Sequence, residues 1–195
     1  MARKLEFDRE LVLQKAMRLF WEKGYASTSM EDLVNTMGIN RFSIYNSFGD
    51  KKALFIAALG YYQQCIFNEL LKPLDSELSG LSCLENYLDN LGQQLLKPSG
   101  KLGCLIQRTG QSSVIGDQQV AELLMQIFDH LQRALMKQVR RAMKNGELKG
   151  RYPAEQVVDF ILASSQGLII LRRIRENALF VSQQVDLIKQ TLRTW

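Results

Sequence analysis

Histidine is nearly absent from this chain: 195 residues hold one, His130. Cysteine is scarce too. Cys65, Cys83 and Cys104 are an odd number at no metal-ligand spacing, which reads as reduced thiols and not as a disulfide framework. A Cys–His nucleophile would have to bring Cys104 against His130, the only imidazole on offer. Gly100, Gly103, Gly110 and Gly116 do not form a phosphate-cradling loop. No catalytic residue, no cofactor and no metal is therefore expected, and a thiol-dependent enzyme built on Cys104 stands as a distant reading. The three prolines, Pro73, Pro98 and Pro153, each fall where a helical pattern stops or starts. No apolar run is long enough to span a bilayer, and the N-terminus lacks the apolar core of a signal peptide, so a cytoplasmic protein is expected. No strand alternation, internal repeat or low-complexity tract interrupts the chain, and the expected fold class is all-α.

What the chain does have is a series of capped amphipathic segments and an excess of base. The net charge of +5 and pI near 9.2 suit an anionic partner or plain solubility. Residues 1–7 form a short arm whose Arg3 and Lys4 suit DNA phosphates or solvent. A first helix runs from Asp8 to Lys23, with Val12, Ala16, Leu19 and Phe20 on one stripe, and Gly24 ends it. Residues 28–52 follow, reading TSMEDLVNTMGINRFSIYNSFGDKK. Ser29 and Asp32 make a capping box. Leu33, Val34 and Met37 share a face, and Gly38 closes the helix in the left-handed conformation. Ile39 is the apolar turn residue, suited to burial between two helices. Asn40 caps a second helix with Ile44 and Phe48 inward, Gly49 stops it, and Asp50 caps the next.

That layout is a helix-turn-helix, whose second helix enters the DNA major groove. Here that helix carries Arg41, Ser43, Asn46 and Ser47 outward. Arg pairs bidentately with guanine and Asn with adenine. Asn40, Arg41, Ser43 and Asn46 are the expected base contacts. Ser29, Tyr45, Lys51 and Lys52 are the expected phosphate contacts, the two lysines standing where helix amides already favour an anion.

On these residues the stretch resembles the DNA-binding domain of the TetR family of bacterial transcription regulators. The matches are Thr28-Ser29, Leu33, Gly38-Ile39, Tyr45 with Phe48, Lys51 followed by Leu54-Phe55, and the preceding Phe20-Trp21-Glu22-Lys23-Gly24-Tyr25. They cover roughly the first 60 residues, about one three-helix module. Phe42 departs from the pattern, at a place where a small residue is common. Ser47 departs where an aromatic is often found. The resemblance implies a three-helix DNA-binding domain with a helix-turn-helix, plus a larger helical ligand-binding and dimerisation domain. The expected division is 1–52 and 53–195.

Beyond Asp50 the helix should continue to about Leu71, giving a mechanical link between the two parts. Ser82 and Glu85 read as a second capping box, opening a helix with Leu84, Tyr87, Leu88, Leu91 and Leu95 inward. Residues 103–107 read as a short buried turn or helix. Asp117 caps a long helix to about Asn145. Pro153, at a first helical position, starts another. Its apolar residues occur on too many sides for one protomer to cover. With a final helix from Ser182, it is expected to form a four-helix homodimer interface.

A small-molecule effector is the remaining expected partner. Tyr61, Tyr62, Phe67, Cys104, Gln107, Met125, Phe128 and Gln166 are the residues expected to contact it, an apolar set with a few polar groups. Core filling is the plainer account of each one singly. Arg108 reads either as a neutraliser of an acidic ligand or, more plainly, as a solvated or capping arginine. Cys104 reads either as an inert buried thiol or as a sensor of electrophiles. The function expected is a ligand-responsive repressor that binds a palindromic operator as a homodimer. The alternative is a helical ligand-binding or interaction protein with a degenerate helix-turn-helix, which Phe42 keeps open.

Overall fold

The structure, a computed structural model, describes residues 7–195; the arm with Arg3 and Lys4 lies outside them. The described residues hold helices and no strand. Their α-helices are α1 (Arg9–Lys23), α2 (Met30–Met37), α3 (Arg41–Phe48), α4 (Lys51–Tyr62), α5 (Asn68–Leu71), α6 (Gly80–Leu96), α7 (Leu105–Gly110), α8 (Gln118–Lys144), α9 (Ala154–Ile174) and α10 (Leu179–Arg193).

Contacts gather the chain into two compact units. One is the chain through Ile66 together with Cys104–Leu124; the other is Phe67–Gly103 with Met125–Trp195. The first unit therefore includes α4, α7 and the first turns of α8, which the division at residue 52 assigns to the C-terminal part. Its core is Phe20, Leu33, Met37, Ile44, Leu54, Phe55 and Leu59, all at most 1% exposed. The Phe20 and Phe55 rings meet edge to face at 5.0 Å, a geometry that adds to what area burial gives. Apolar spacing on α1 and α4 turns these faces toward one another, so the helix-turn-helix rests on a packed base.

In the second unit α6 packs against α10 and α9. Gly80 stands against α8: a side chain there would run into the backbone carbonyl of Gln138 and the backbone N–H of Ala142. The side-chain Nε2 of Gln138, fully buried, donates to the Leu74 carbonyl at 2.6 Å. Val157, Val158, Ile161 and Leu168 of α9 and Val181, Val185 and Leu192 of α10 are buried. Ile170, Leu171 and Ile174 on α9, with Leu179 and Leu187 on α10, are exposed apolar side chains.

Several expectations need correction. The helix from Asp50 is helical as far as Leu71, but Gln63–Phe67 is a π turn that interrupts it. The cap of α6 is Ser79, whose hydroxyl accepts from the Ser82 backbone N–H at 3.2 Å. Ser82 lies inside the helix, and Glu85 pairs with Arg193 at 2.6 Å. Pro153 is the cap residue of α9, one place before the first helical position. The last helix starts at Leu179, before Ser182.

Candidate nucleic-acid interface

The helix-turn-helix is built by local capping. Ser29 caps α2: its hydroxyl accepts from the Asp32 backbone N–H at 3.0 Å, and Asp32 Oδ2 accepts from the Ser29 backbone N–H at 2.9 Å. Lys23 Nζ, at the end of α1, sits 2.6 Å from Asp32 Oδ1. The Lys23 bond and then the Ser29 groups hold the Asp32 carboxyl down at about 2, because each stabilises the charged form. Gly38 closes α2 with φ 72°, a left-handed value that side chains resist. Asn40 Oδ1 then caps α3 by accepting from the Ser43 N–H at 2.8 Å. Asp50 does the same for α4 through the Ala53 N–H at 2.8 Å.

These caps fix which face α3 presents. Ile44 and Phe48 are buried. Arg41, Phe42, Tyr45 and Asn46 are exposed, Phe42 at 69% and Tyr45 at 43%. Ser43 and Ser47, expected outward, are half-buried, and Ile39 in the turn is half-buried too. Spacing alone misplaced the serines: the outward face follows positions 41, 42, 45 and 46, so Phe42 belongs to it. Arg41 lies along Tyr45, its Nη2 3.5 Å from the phenol oxygen and its guanidinium 5.8 Å from the ring centre. Among the described residues this contact leaves most of the guanidinium fork unpaired. Ser29 and Asn40 are exposed but already spend one oxygen each on capping.

At the start of α4 the two lysines differ. Lys51 Nζ lies 4.5 Å over the Tyr25 ring, and burial lowers its pKa. Lys52 Nζ is 2.9 Å from Asp117 Oδ2. That hydrogen bond raises the Lys52 pKa and lowers that of Asp117.

The end of α1 is held by Arg108. Its Nη1 donates to the carbonyls of Trp21 at 2.7 Å and Glu22 at 3.0 Å, and its Nη2 to Lys23 at 3.0 Å. The Gly24 N–H takes Phe20. The last four carbonyls of α1 are thus satisfied, which a helix end otherwise leaves to water. Arg108 therefore caps α1, which is one of the roles its sequence position left open.

The residues expected to contact an effector are divided between the two units. Tyr61, Tyr62, Cys104 and Gln107 are in the first unit; Phe67, Met125, Phe128 and Gln166 are in the second. Tyr62 is buried and meets Trp21 edge to face at 5.0 Å. Burial, and then the neighbouring Cys104, push its hydroxyl well above the usual range. Burial also pushes the Cys104 thiol up, against the pull of the Gln107 amide and the Tyr62 hydroxyl. Thiolate, the reactive form, is thereby disfavoured. Phe67 is buried, Phe128 and Gln166 are half-buried, and Met125 is 65% exposed. His130 is exposed. Among the described residues no cluster of His, Cys, Asp or Glu is arranged to hold a metal, and no helix is long and apolar enough to cross a membrane.

Comparison with known proteins places this geometry. Residues 12–58 match the sequence family described as bacterial regulatory proteins, tetR family. Residues 80–183 match the tetracyclin repressor-like C-terminal domain. The chain is 29% identical over 150 residues to the HTH-type transcriptional regulator YezE of Bacillus subtilis, covering 77% of each protein. It is 28% identical over 192 residues to the HTH-type transcriptional repressor ComR of Escherichia coli, covering 97% of this chain and 89% of ComR. Among solved structures, a cysteine mutant of the TetR family regulator CifR, complexed with a 26bp operator duplex, superposes with a TM-score of 0.84 at 25% identity. The match covers 99% of this chain and 100% of that one.

Proposed function

The chain belongs to the tetR family of bacterial regulatory proteins, and from that premise we propose that it is a repressor which binds a palindromic operator and leaves it when a small molecule binds. The observation that carries this reading is the outward face of α3. Arg41, Phe42, Tyr45 and Asn46 are presented together by a helix whose ends are capped and whose inner side is packed. Arg41 reads a guanine and Asn46 an adenine, while Phe42 takes the methyl group of a thymine. Asn40 and Ser43 supply further base contacts, and Ser29, Tyr45, Lys51 and Lys52 bind phosphates. An exposed aromatic with this partner available argues against a helix-turn-helix that has lost its DNA.

The protein works as a homodimer through α9 and α10, whose exposed Ile170, Leu171, Ile174, Leu179 and Leu187 form a surface that a lone protomer leaves in water. Residues 1–52 read DNA, and residues 53–195 sense the effector and pair the protomers. Pairing holds two α3 helices one DNA turn apart, about 34–36 Å. Tyr61, Tyr62, Cys104, Gln107, Phe67, Phe128 and Gln166 are our candidates for effector contact, and Met125 adds an exposed thioether to the set. The effector acts only as far as it prefers the conformer that cannot bind DNA. We read the protein as a cytoplasmic regulator and not as an enzyme.

Selection from a random-sequence duplex pool tests this. The full-length protein should enrich an inverted repeat with half-sites spaced by one turn or a multiple of it. Enrichment of nothing, or of a single asymmetric half-site, would refute the reading.

A further inference from the structure

The segment Cys104–Leu124 belongs to the same compact unit as the helix-turn-helix and grips it with two charged side chains. Arg108 holds the three terminal carbonyls of α1. Asp117, further along the segment, reaches Lys52 in the first turn of α4 at 2.9 Å. Asp117 is itself fixed. Its Oδ1 caps α8, accepting from the N–H of Gln119 at 3.0 Å and of Val120 at 3.3 Å, so only Oδ2 is turned to Lys52. The other charges near the pair are Asp50 and the Tyr25 hydroxyl. Asp50 is committed to the Ala53 N–H. Lys51 has the ring of Tyr25 beneath it and no carboxylate partner within 4 Å among the described residues. Of the two cations at the start of α4, then, one is already neutralised from within the chain, and its partner is an anionic oxygen of the same kind a phosphate offers.

We propose that Asp117 is a positioning residue for DNA binding: it competes with the DNA backbone for Lys52 and holds operator affinity below what the helix-turn-helix would otherwise reach. This rests on the DNA-binding reading above and adds to it a residue outside the helix-turn-helix. Because Arg108 ties the same segment to α1, a shift of Cys104–Leu124 would alter the hold on Lys52 together with the end of α1.

Asp117→Asn isolates the effect, since Asn caps a helix about as well as Asp while carrying no charge. Binding of the full-length protein to its selected duplex is measured at low and moderate salt. The variant should bind more tightly than the wild type. Each recovered phosphate contact steepens the log–log salt slope by about 0.9, so for two contacts per dimer the advantage should shrink about twelvefold between roughly 50 and 200 mM salt. In a Lys52→Met background the same substitution should give no gain. Equal or weaker binding by Asp117→Asn, with the wild type binding normally, would overturn the proposal and leave the repressor reading standing. So would an undiminished gain in the Lys52→Met background, which would mark a general charge effect. A wild type that binds no duplex at all would overturn both.

Discussion

Replacing Arg108 by Ala tests how the DNA-reading unit is held together. The guanidinium satisfies three carbonyls at the end of α1, next to Gly24 at φ 85°. The bond to Trp21 is partly buried and the other two are exposed. A partly buried bond from a charged donor is worth about 1.5–2 kcal/mol, and exposed ones, which water replaces, about half a kcal/mol each. Favourable charge at a helix C-terminus is already contained in those figures. The expected loss is about 2–3 kcal/mol. For a chain of this size that corresponds to a fall in melting temperature of roughly 5–10 °C. Arg108→Lys should recover less than half, because a single ammonium cannot span three carbonyls as a planar fork does. Chemical denaturation of the three proteins measures this directly. An Arg108→Ala variant within about 0.5 kcal/mol of wild type, or a lysine variant equal to wild type, would refute the reasoning.

Other expectations concern acid stability and pairing. The Asp32 carboxyl is held at about 2, below its ordinary 3.8. A lowered folded pKa gives stability that is present above the unfolded value and lost as the carboxyl protonates. Melting temperature should therefore fall as pH drops from 3.8 toward 2, and Asp32→Asn should flatten that fall; an unchanged acid limb would exclude the Lys23–Asp32 cap as its source. Ile174 is 72% exposed in the single chain. Ile174→Glu should weaken dimerisation by about thirtyfold or more, the cost of losing an interface anchor, read by sedimentation across a dilution series. Wild-type-like sedimentation would move the interface elsewhere.

Much of this was legible in the sequence because helix ends are local events. Ser29 with Asp32, Gly38, Asn40, Gly49, Asp50 and Asp117 each announce a cap within a few residues, and the structure uses each of them as a cap. Where two caps compete within a few residues the pattern misleads: Ser79 begins α6, while Ser82 is its hydrogen-bond donor. The π turn at Gln63–Phe67 has no residue signature, since it adds one backbone step without needing a special side chain. The outward face of α3 was half right. Ser43 and Ser47 are small enough to turn partly inward, while Phe42, just before them, stays on the outward face. Least legible were the grips of Arg108 on α1 and Asp117 on Lys52, 85 and 65 residues apart in the chain. No local spacing encodes a contact of that range.

The most direct measurement compares Arg41→Ala with Lys51→Ala on the selected operator and on its single-base variants, across a salt series. The account predicts that Arg41→Ala relaxes preference at one symmetric pair of positions. Lys51→Ala should instead weaken binding to every sequence alike and lower the salt slope by about 0.9 per protomer. Equal loss of base preference from both substitutions, or no loss from either, would contradict the claim that α3 reads the bases while the start of α4 grips the backbone.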